Sequence, residues 1–262
     1  MKLQAQIDQA LVNIMAAKLR SFLALLGILV GTAAVVALIS CGQMATEKAL
    51  AQFRALGTDL MAVSLFNKNN AQGNGQTNEI TLDTWRQLPQ YSADIIKIAP
   101  YVTAYQSVSF AGKELQGPII GADESLADII NIEMAMGHFV SFVDTFEHYA
   151  VIGAGLAKQI QQITLDPPIG QQLKIGAALY TIIGVAKPWQ ESAFFNEDIN
   201  QAVIIPIAGV SLISKNSKVN SAVILLKKNL AIDPFMQQLR QLLEQQAPGL
   251  NVFMRSAKQI IA

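Results

Sequence analysis

The sequence predicts an α+β protein that is held in a membrane by one N-terminal helix. Residues 22–39 (FLALLGILVGTAAVVALI) contain no charge, and a helix needs about 20 apolar residues to cross a bilayer core. Roughly 220 residues follow this run, enough for one large domain or two small ones. Strand and helix patterns alternate along them, and the same strand–helix–strand order occurs near both ends of that region.

Composition narrows the classes of function. The chain has 19 basic and 19 acidic residues and a formal net charge of zero. Nucleic-acid binding usually needs a basic surface, so we expect no nucleic-acid partner. The single cysteine excludes an internal disulfide, and an exported domain of this size can be stable without one.

The first 57 residues are predicted to form three consecutive helical parts. Residues 1–20 place apolar side chains at helical spacing, as in an amphipathic helix lying on the cytoplasmic face of the bilayer. Lys18 and Arg20 precede the apolar run, so the positive-inside rule puts the N-terminus in the cytoplasm and the main domain outside. Residues 21–41 are the predicted transmembrane helix, and residues 42–57 continue as a stalk that ends at Gly57.

Three interpretations of this N-terminus compete. It is a retained span, a cleaved secretory signal, or a lipoprotein signal in which Leu38-Ile39-Ser40 precede a lipidated Cys41. A secretory signal has an apolar region of about 7–15 residues. The longer run and the 20 residues before it favour the retained span.

Gly27 and Gly31 form a G-x-x-x-G motif inside the predicted span. Small residues at this spacing let a second helix approach closely, so we predict a helix-packing face there. Chance is the alternative, because glycine is frequent in membrane helices.

The domain after the stalk is predicted to have two parts. Residues 58–114 and 214–256 each carry strand–helix–strand patterns and are expected to pair into one α+β subdomain of the exported region. Thr81 is a candidate helix cap and Pro89 a stop, while Asp233-Pro234 opens the second helix. Residues 67–79 are polar and predict a mobile loop.

Residues 115–213 are predicted as an inserted, mostly β subdomain, with a hairpin turn at residues 176–178. A loop-like segment at residues 188–200 carries Trp189, Phe194 and Phe195. These aromatic side chains are candidates for contact with a partner or a membrane. Alternatively, they fold back as a lid on a small core.

Motifs for catalysis, cofactors and metals are lacking in the sequence, so we predict that this chain is not an enzyme and holds no cofactor or metal. There is no P-loop motif and no G-x-S-x-G. Gly153-Ala154-Gly155 resembles the start of a dinucleotide fingerprint, but Lys158 stands where the third glycine would be. His138 and His148 have no ligand-like spacing, and we interpret them as solvated or locally bonded side chains.

The order of several motifs resembles MacB/FtsX-type ABC-transporter permeases. The resemblance lies in residues 17–31 (AKLRSFLALLGILVG), 33–38 (AAVVAL) and 56–60 (LGTDL), and shorter pieces follow in the family's order, among them 120–123 (IGAD), 137–139 (GHF) and 205–206 (IP). Asp59 replaces the asparagine usual in the family, and His138 an arginine.

The resemblance implies a permease component in the bacterial inner membrane. A partner ABC-type ATPase would hydrolyse ATP in the cytoplasm, and movement of the periplasmic domain would drive export, efflux or envelope transport. It implies a homodimer or permease heterodimer, contact with membrane lipid and a periplasmic adaptor protein as a further partner. The family has three more spans after this domain, so residues 257–262 are expected to begin a missing helix. The alternative is a membrane-anchored binding domain, or one lipidated at Cys41, that works without an ATPase.

Overall fold

The computed structural model describes residues 18–56, 59–67, 80–144, 147–191, 195–214, 217–228 and 230–256. Most of the predicted amphipathic helix, the polar loop at 68–79, Phe194 and the predicted start of a further helix at 257–262 lie outside the described residues. The chain divides into two compact units, Met1–Ala51 and Gln52–Ala262.

Helix α1 (Lys18–Leu56) is one continuous helix of 39 residues that includes the predicted span and the predicted stalk. Its segment Phe22–Glu47 is long and apolar enough to cross a membrane, and none of the most apolar window is buried. The hydroxyl of Thr32 donates to the carbonyl oxygens of Ile28 (2.9 Å) and Leu29 (3.1 Å). Its hydrogen-bonding need is therefore met within the helix, as a lipid environment requires.

The two predicted strand–helix–strand segments lie side by side in one antiparallel arrangement. The first comprises β1 (Leu60–Asn67), α2 (Leu82–Tyr91) and β2 (Ile95–Ala104); the last comprises β11 (Ser221–Leu226), α6 (Ile232–Gln246) and β12 (Leu250–Ser256). The strand order is β12-β1-β11-β2, and every neighbouring pair is antiparallel. This is the split βαβ topology, in which each helix crosses over one intervening strand.

Two helix boundaries differ from the prediction. Thr81 caps α2 as expected, since its hydroxyl accepts from the Thr84 N–H at 3.2 Å. Pro89, predicted as a stop, lies inside α2 near its C-terminal end. Proline has no N–H, so the carbonyl oxygen four residues earlier loses its helical hydrogen bond, and the helix continues with this one bond missing. Helix α6 begins at Ile232 after Ala231, so Asp233 belongs to its first turn instead of capping it.

Strand β2 continues the sheet into the second part of the domain. Its residues up to Tyr101 pair with β11, and from Val102 onward it pairs with β5 (Ile119–Ala122). The order continues through β10 (Val203–Pro206), β7 (Tyr149–Ile152), β9 (Ala178–Ala186), β8 (Gln172–Ile175), β3 (Val108–Phe110) and β4 (Lys113–Leu115). Strand β6 (Met134–Gly137) pairs with β9. Strand β3 pairs with β4 and β8, so both β3 and β4 belong to the second part of the domain. By strand pairing, the boundary between the two parts therefore lies nearer to Val102 than to the predicted boundary at residue 115.

Short helices complete the second part: α3 (Glu124–Ile129), α4 (Ala154–Thr164) and α5 (Val210–Ile213), with 3₁₀ turns at Phe142–Asp144, Ile199–Gln201 and Ile207–Gly209. The predicted hairpin turn at residues 176–178 is confirmed, because Ile175 pairs with Ala178 and Gly176 has a φ of 56°. That left-handed conformation suits glycine.

Apolar side chains fill three clusters. The first packs α2 and α6 against the β12-β1-β11-β2 sheet and contains Trp85, Phe235 and Leu239. The second lies on the opposite face of that sheet and is covered by α3 and by Trp189 and Phe195. The third fills the second part of the domain around Tyr180, α4 and β9. Burial on both faces explains why β1 is apolar at successive positions instead of alternating.

Candidate membrane anchor and partner surfaces

The predicted helix-packing face of α1 is open. A Cβ atom placed on Gly27 or Gly31 would meet nothing within 4 Å. Both glycines lie in the exposed apolar part of α1. The surface therefore has room for a second helix, and its use stays a prediction. Cys41, the candidate lipidation residue, is exposed and lies within the uninterrupted helix.

The predicted partner-contact loop is corrected by the structure for two of its three aromatic residues. Trp189 is 8% exposed and Phe195 2% exposed, so both lie in the core. The Phe195 ring centre lies 4.8 Å from that of Tyr101 and 6.1 Å from that of Trp189. These rings act as a lid over one sheet face, the alternative interpretation of the loop. Phe194 lies outside the described residues.

Hydrogen bonds hold this lid in place. The indole N–H of Trp189 donates to the carbonyl oxygen of Ile130 (2.9 Å). The side chain of Asn200 accepts from the backbone N–H of Trp189 (2.9 Å) and donates to its carbonyl oxygen (2.8 Å). A cleft of about 280 Å³ borders the lid, lined in part by Trp189, Glu133 and Lys187. Its polar rim is an ion pair, 2.7 Å from Lys187 Nζ to Glu133 Oε2.

A second pair of contacts joins the lid to the edge strand β12 and to the residue that follows β2. Arg255 Nη2 donates to Asn196 Oδ1 at 2.7 Å, and the Tyr105 hydroxyl donates to Glu197 at 3.2 Å. Burial and the nearby Glu197 carboxylate raise the pKa of Tyr105. Burial also raises the pKa of Tyr101, so both phenols are neutral at ordinary pH.

Gly153 and Gly155 allow two backbones to approach closely and leave no room at this turn for a phosphate. A Cβ on Gly153 would lie 1.9 Å from the carbonyl oxygen of Ile199, and a Cβ on Gly155 2.3 Å from Gln201 Nε2. The 3₁₀ turn at Ile199–Gln201 thus covers the start of α4. This explains the glycine pair as a tight strand–helix turn.

Within the described residues, no group of three or more His, Cys, Asp or Glu side chains could hold a metal ion. Among the described residues of the domain, the exposed aromatic residues are Phe66, Tyr91, Tyr105, Phe142 and Phe253. The sequence analysis did not single them out; for Phe66 and Phe253, alternation alone does not tell which face of a strand a neighbouring element covers.

The described residues thus form an α+β domain with a continuous sheet that follows a candidate membrane span. The family model for the MacB-like periplasmic core domain matches residues 21–242. The chain therefore belongs to the MacB-like periplasmic core domain family.

Relatives and solved structures agree with this assignment. The macrolide export ATP-binding/permease protein MacB of Neisseria gonorrhoeae is 22% identical over 247 residues, which cover 94% of this chain and 38% of that protein. The protein of the same name from Bradyrhizobium diazoefficiens is 26% identical over 206 residues, covering 78% of this chain and 31% of that protein. The chain thus spans less than half the length of these relatives.

The fold is similar to two solved domains. The periplasmic region of MacB from Actinobacillus actinomycetemcomitans matches with a TM-score of 0.63 and 16% identity, over 82% of this chain and 96% of that one. The extracellular domain of the ABC-type transporter YknZ from Gram-positive bacteria matches with a TM-score of 0.58 and 11% identity, over 73% and 99%. Both likenesses concern the fold, and they support the α+β assignment.

Proposed function

We propose that this chain is the first membrane span and periplasmic core domain of an ABC-transporter permease in the bacterial inner membrane, with its N-terminus in the cytoplasm. The observation that carries the proposal is the family match over residues 21–242, which includes the apolar part of α1 as well as the domain. The relatives are named ATP-binding/permease proteins for macrolide export.

The domain suits the transmission of movement better than chemistry. Its sheet is continuous from β12 to β4, and β2 belongs to both parts of it. Ion pairs tie the covering helices to one another and to the sheet: Arg86 on α2 with Asp123 at the start of α3 (3.2 Å), and Lys97 on β2 with Asp128 on α3. A displacement at one end of such a body is carried to the other end, because packed cores deform little.

The proposal includes partners. An ABC-type ATPase subunit hydrolyses ATP in the cytoplasm, a second permease copy or a related permease completes the dimer, and a periplasmic adaptor protein joins outside the membrane. Gly27 and Gly31 form the helix-packing face within this assembly. Lipid surrounds α1.

The test joins the chain to its partner. The full chain, as part of its complete permease, is reconstituted in nanodiscs with an ABC-type ATPase, and spin labels at Leu165 report the distance between two copies. Leu165 is 91% exposed, so a label there disturbs no packing. ATP is expected to shift the distance distribution, and a hydrolysis-deficient ATPase is expected to hold it in the ATP-bound form. Failure of the ATPase to associate, or identical distances with and without ATP, would contradict the proposal.

Replacement of both Gly27 and Gly31 by leucine tests the helix-packing face in the same assembly. Leucine side chains keep the helix apolar but separate the two backbones, so dimer formation and transport should fall. Leucine at Ala33 and Val36, on the opposite face of α1, is the matched control. Unchanged assembly in the double glycine variant would remove this motif from the proposal.

The alternative, a lipidated binding domain, is distinguished by chemistry at Cys41. Helix α1 continues past this residue without a break, which supports retention of the span. Incorporation of labelled fatty acid at Cys41, with loss of residues 1–40 from the mature protein, would favour the alternative.

A further inference from the structure

The two edges of the sheet are built differently. Strand β4, at one edge, has three residues, and its Lys113 and Glu114 are exposed. Strand β12, at the other edge, has seven residues and pairs with β1 in an uninterrupted register. It contains no proline, lysine or bulge. Natural edge strands are usually short, charged, bulged or covered, so that they do not pair with another chain. β4 follows this rule and β12 does not.

The outward-facing backbone groups of β12 follow from the hydrogen-bond pattern of β1. The Leu65 N–H donates to the residue preceding β11 at 2.8 Å, so the alternation of an antiparallel ladder turns the backbone of Ser64 toward β12. Ser64 pairs there with Phe253. The N–H and C=O groups of Val252 and Met254 therefore point away from β1, and no strand in the described part of the chain pairs with them.

The side chains beside this edge carry one charge and one exposed ring. Arg255 is the sole charged residue of β12, and β1 has none. Its guanidinium carbon lies 5.8 Å from the ring centre of Phe253, which is 52% exposed. Arg255 Nε is buried and has no hydrogen-bond partner within the described residues. The guanidinium as a whole carries a full positive charge, and a carboxylate is the acceptor that it binds most strongly.

We propose that the β12 edge binds an extended, acidic segment of a partner polypeptide by strand addition. The added strand pairs with the backbone of Val252 and Met254, and apolar side chains on one of its faces extend the core on which these two residues pack. On its other face, a carboxylate lies beside Arg255. A second copy of β12 offers no carboxylate, so charge complementarity favours a different chain as the occupant.

The test measures peptide binding to the full chain in phosphatidylcholine nanodiscs by fluorescence anisotropy. The probe is a fluorescein-labelled peptide of alternating valine and threonine with one central glutamate. Matched probes carry lysine in place of glutamate, or a methyl group on every backbone nitrogen, because methylation of alternate nitrogens would leave one edge of the peptide free to pair. We expect saturable binding that is about tenfold tighter for the glutamate peptide than for the lysine peptide, as one charge-assisted hydrogen bond gives. The methylated peptide should not bind.

Two variants locate the binding. Arg255→Gln should abolish the preference for glutamate over lysine. Val252→Pro removes one outward N–H while leaving the ladder with β1 intact, and should weaken both peptides. Because proline at a buried position can unfold the chain, the methylated peptide makes the same test on the unaltered protein. Absent or non-saturable binding, or equal binding of the methylated peptide, would overturn the proposal. A preference for glutamate that survives Arg255→Gln would overturn the role of Arg255. Self-association that Val252→Pro abolishes would show that a second copy occupies the edge, which also contradicts the proposal.

Discussion

Replacement of Phe195 by alanine distinguishes a core role for the lid from a partner-binding role. The ring is 2% exposed and lies between Tyr101 and Trp189. Removal of a buried phenylalanine side chain usually costs about 3–5 kcal/mol, which combines the lost transfer free energy and the cavity left behind. The total free energy of unfolding of a domain is about 5–15 kcal/mol. Phe195→Ala should therefore remove a large fraction of the stability of the domain.

Urea unfolding of the full chain in mild detergent, followed by tryptophan fluorescence, measures this loss. The chain has two tryptophans, Trp85 and Trp189, and both are buried in the domain after α1, so the signal reports the unfolding of that domain. Phe253→Ala is the matched control, because that ring is 52% exposed. Surface substitutions usually change stability by less than about 0.5 kcal/mol. If Phe195→Ala and Phe253→Ala unfold at the same urea concentration, the lid interpretation is wrong.

Three further substitutions follow from individual contacts. Gly153→Ala should destabilise the domain by about 1–3 kcal/mol through overpacking, because a Cβ there would lie 1.9 Å from the carbonyl oxygen of Ile199. Gly209→Ala is the control, since a Cβ there would meet nothing within 4 Å. Equal melting temperatures of the two variants would contradict the prediction. Tyr180→Phe should leave the domain as stable or more stable, since its buried hydroxyl has no partner within the described residues. Burial raises the pKa of Tyr180, so its neutral form favours the folded state below the unfolded pKa of 10.0 and this contribution is lost as the pH rises through the folded pKa; the phenylalanine variant should lose less stability at alkaline pH, as measured by thermal unfolding. The hydrogen bond from Lys187 lowers the pKa of Glu133, so the ion pair contributes above the unfolded pKa and fades as the pH falls through the folded pKa; Lys187→Gln should return the Glu133 pKa toward its usual value in a carboxyl NMR titration, and an unmoved titration would refute the pairing.

Local sequence signals predicted a helix or strand well where a few neighbouring residues, such as an apolar run or a helix cap, determine it. The apolar run indicated the helix and Thr81 indicated the start of α2, because each signal is local in the chain. Pro89 and Asp233 misled the helix boundaries. Packing of α2 on the sheet stabilises a turn that Pro89 alone would not favour, and Asp233 suits the first turn of α6 as well as it suits a cap position.

The sequence left the placement of the aromatic loop undecided for a different reason. Trp189 and Phe195 follow no periodic pattern, so the sequence does not indicate which surface they cover. That surface is the face of β1, β11 and β2 opposite α2 and α6, and it forms only when strands far apart in the chain pair. The same long-range pairing brings Arg255 to Asn196, a contact for which the sequence holds no local signal.

The most direct test of the account asks on which side of the membrane the domain lies. Cys41 is the single cysteine of the sequence, and Leu165 is 91% exposed. A Leu165→Cys substitution in a Cys41→Ala background therefore places one accessible thiol on the domain. Intact spheroplasts are treated with a maleimide that cannot cross the membrane. The account predicts that residue 165 is labelled in intact spheroplasts. In a separate variant, Lys18→Cys in the same background, the cysteine should be labelled only after lysis. Labelling of residue 165 only after lysis, or recovery of the uncleaved protein in the soluble fraction, would contradict it.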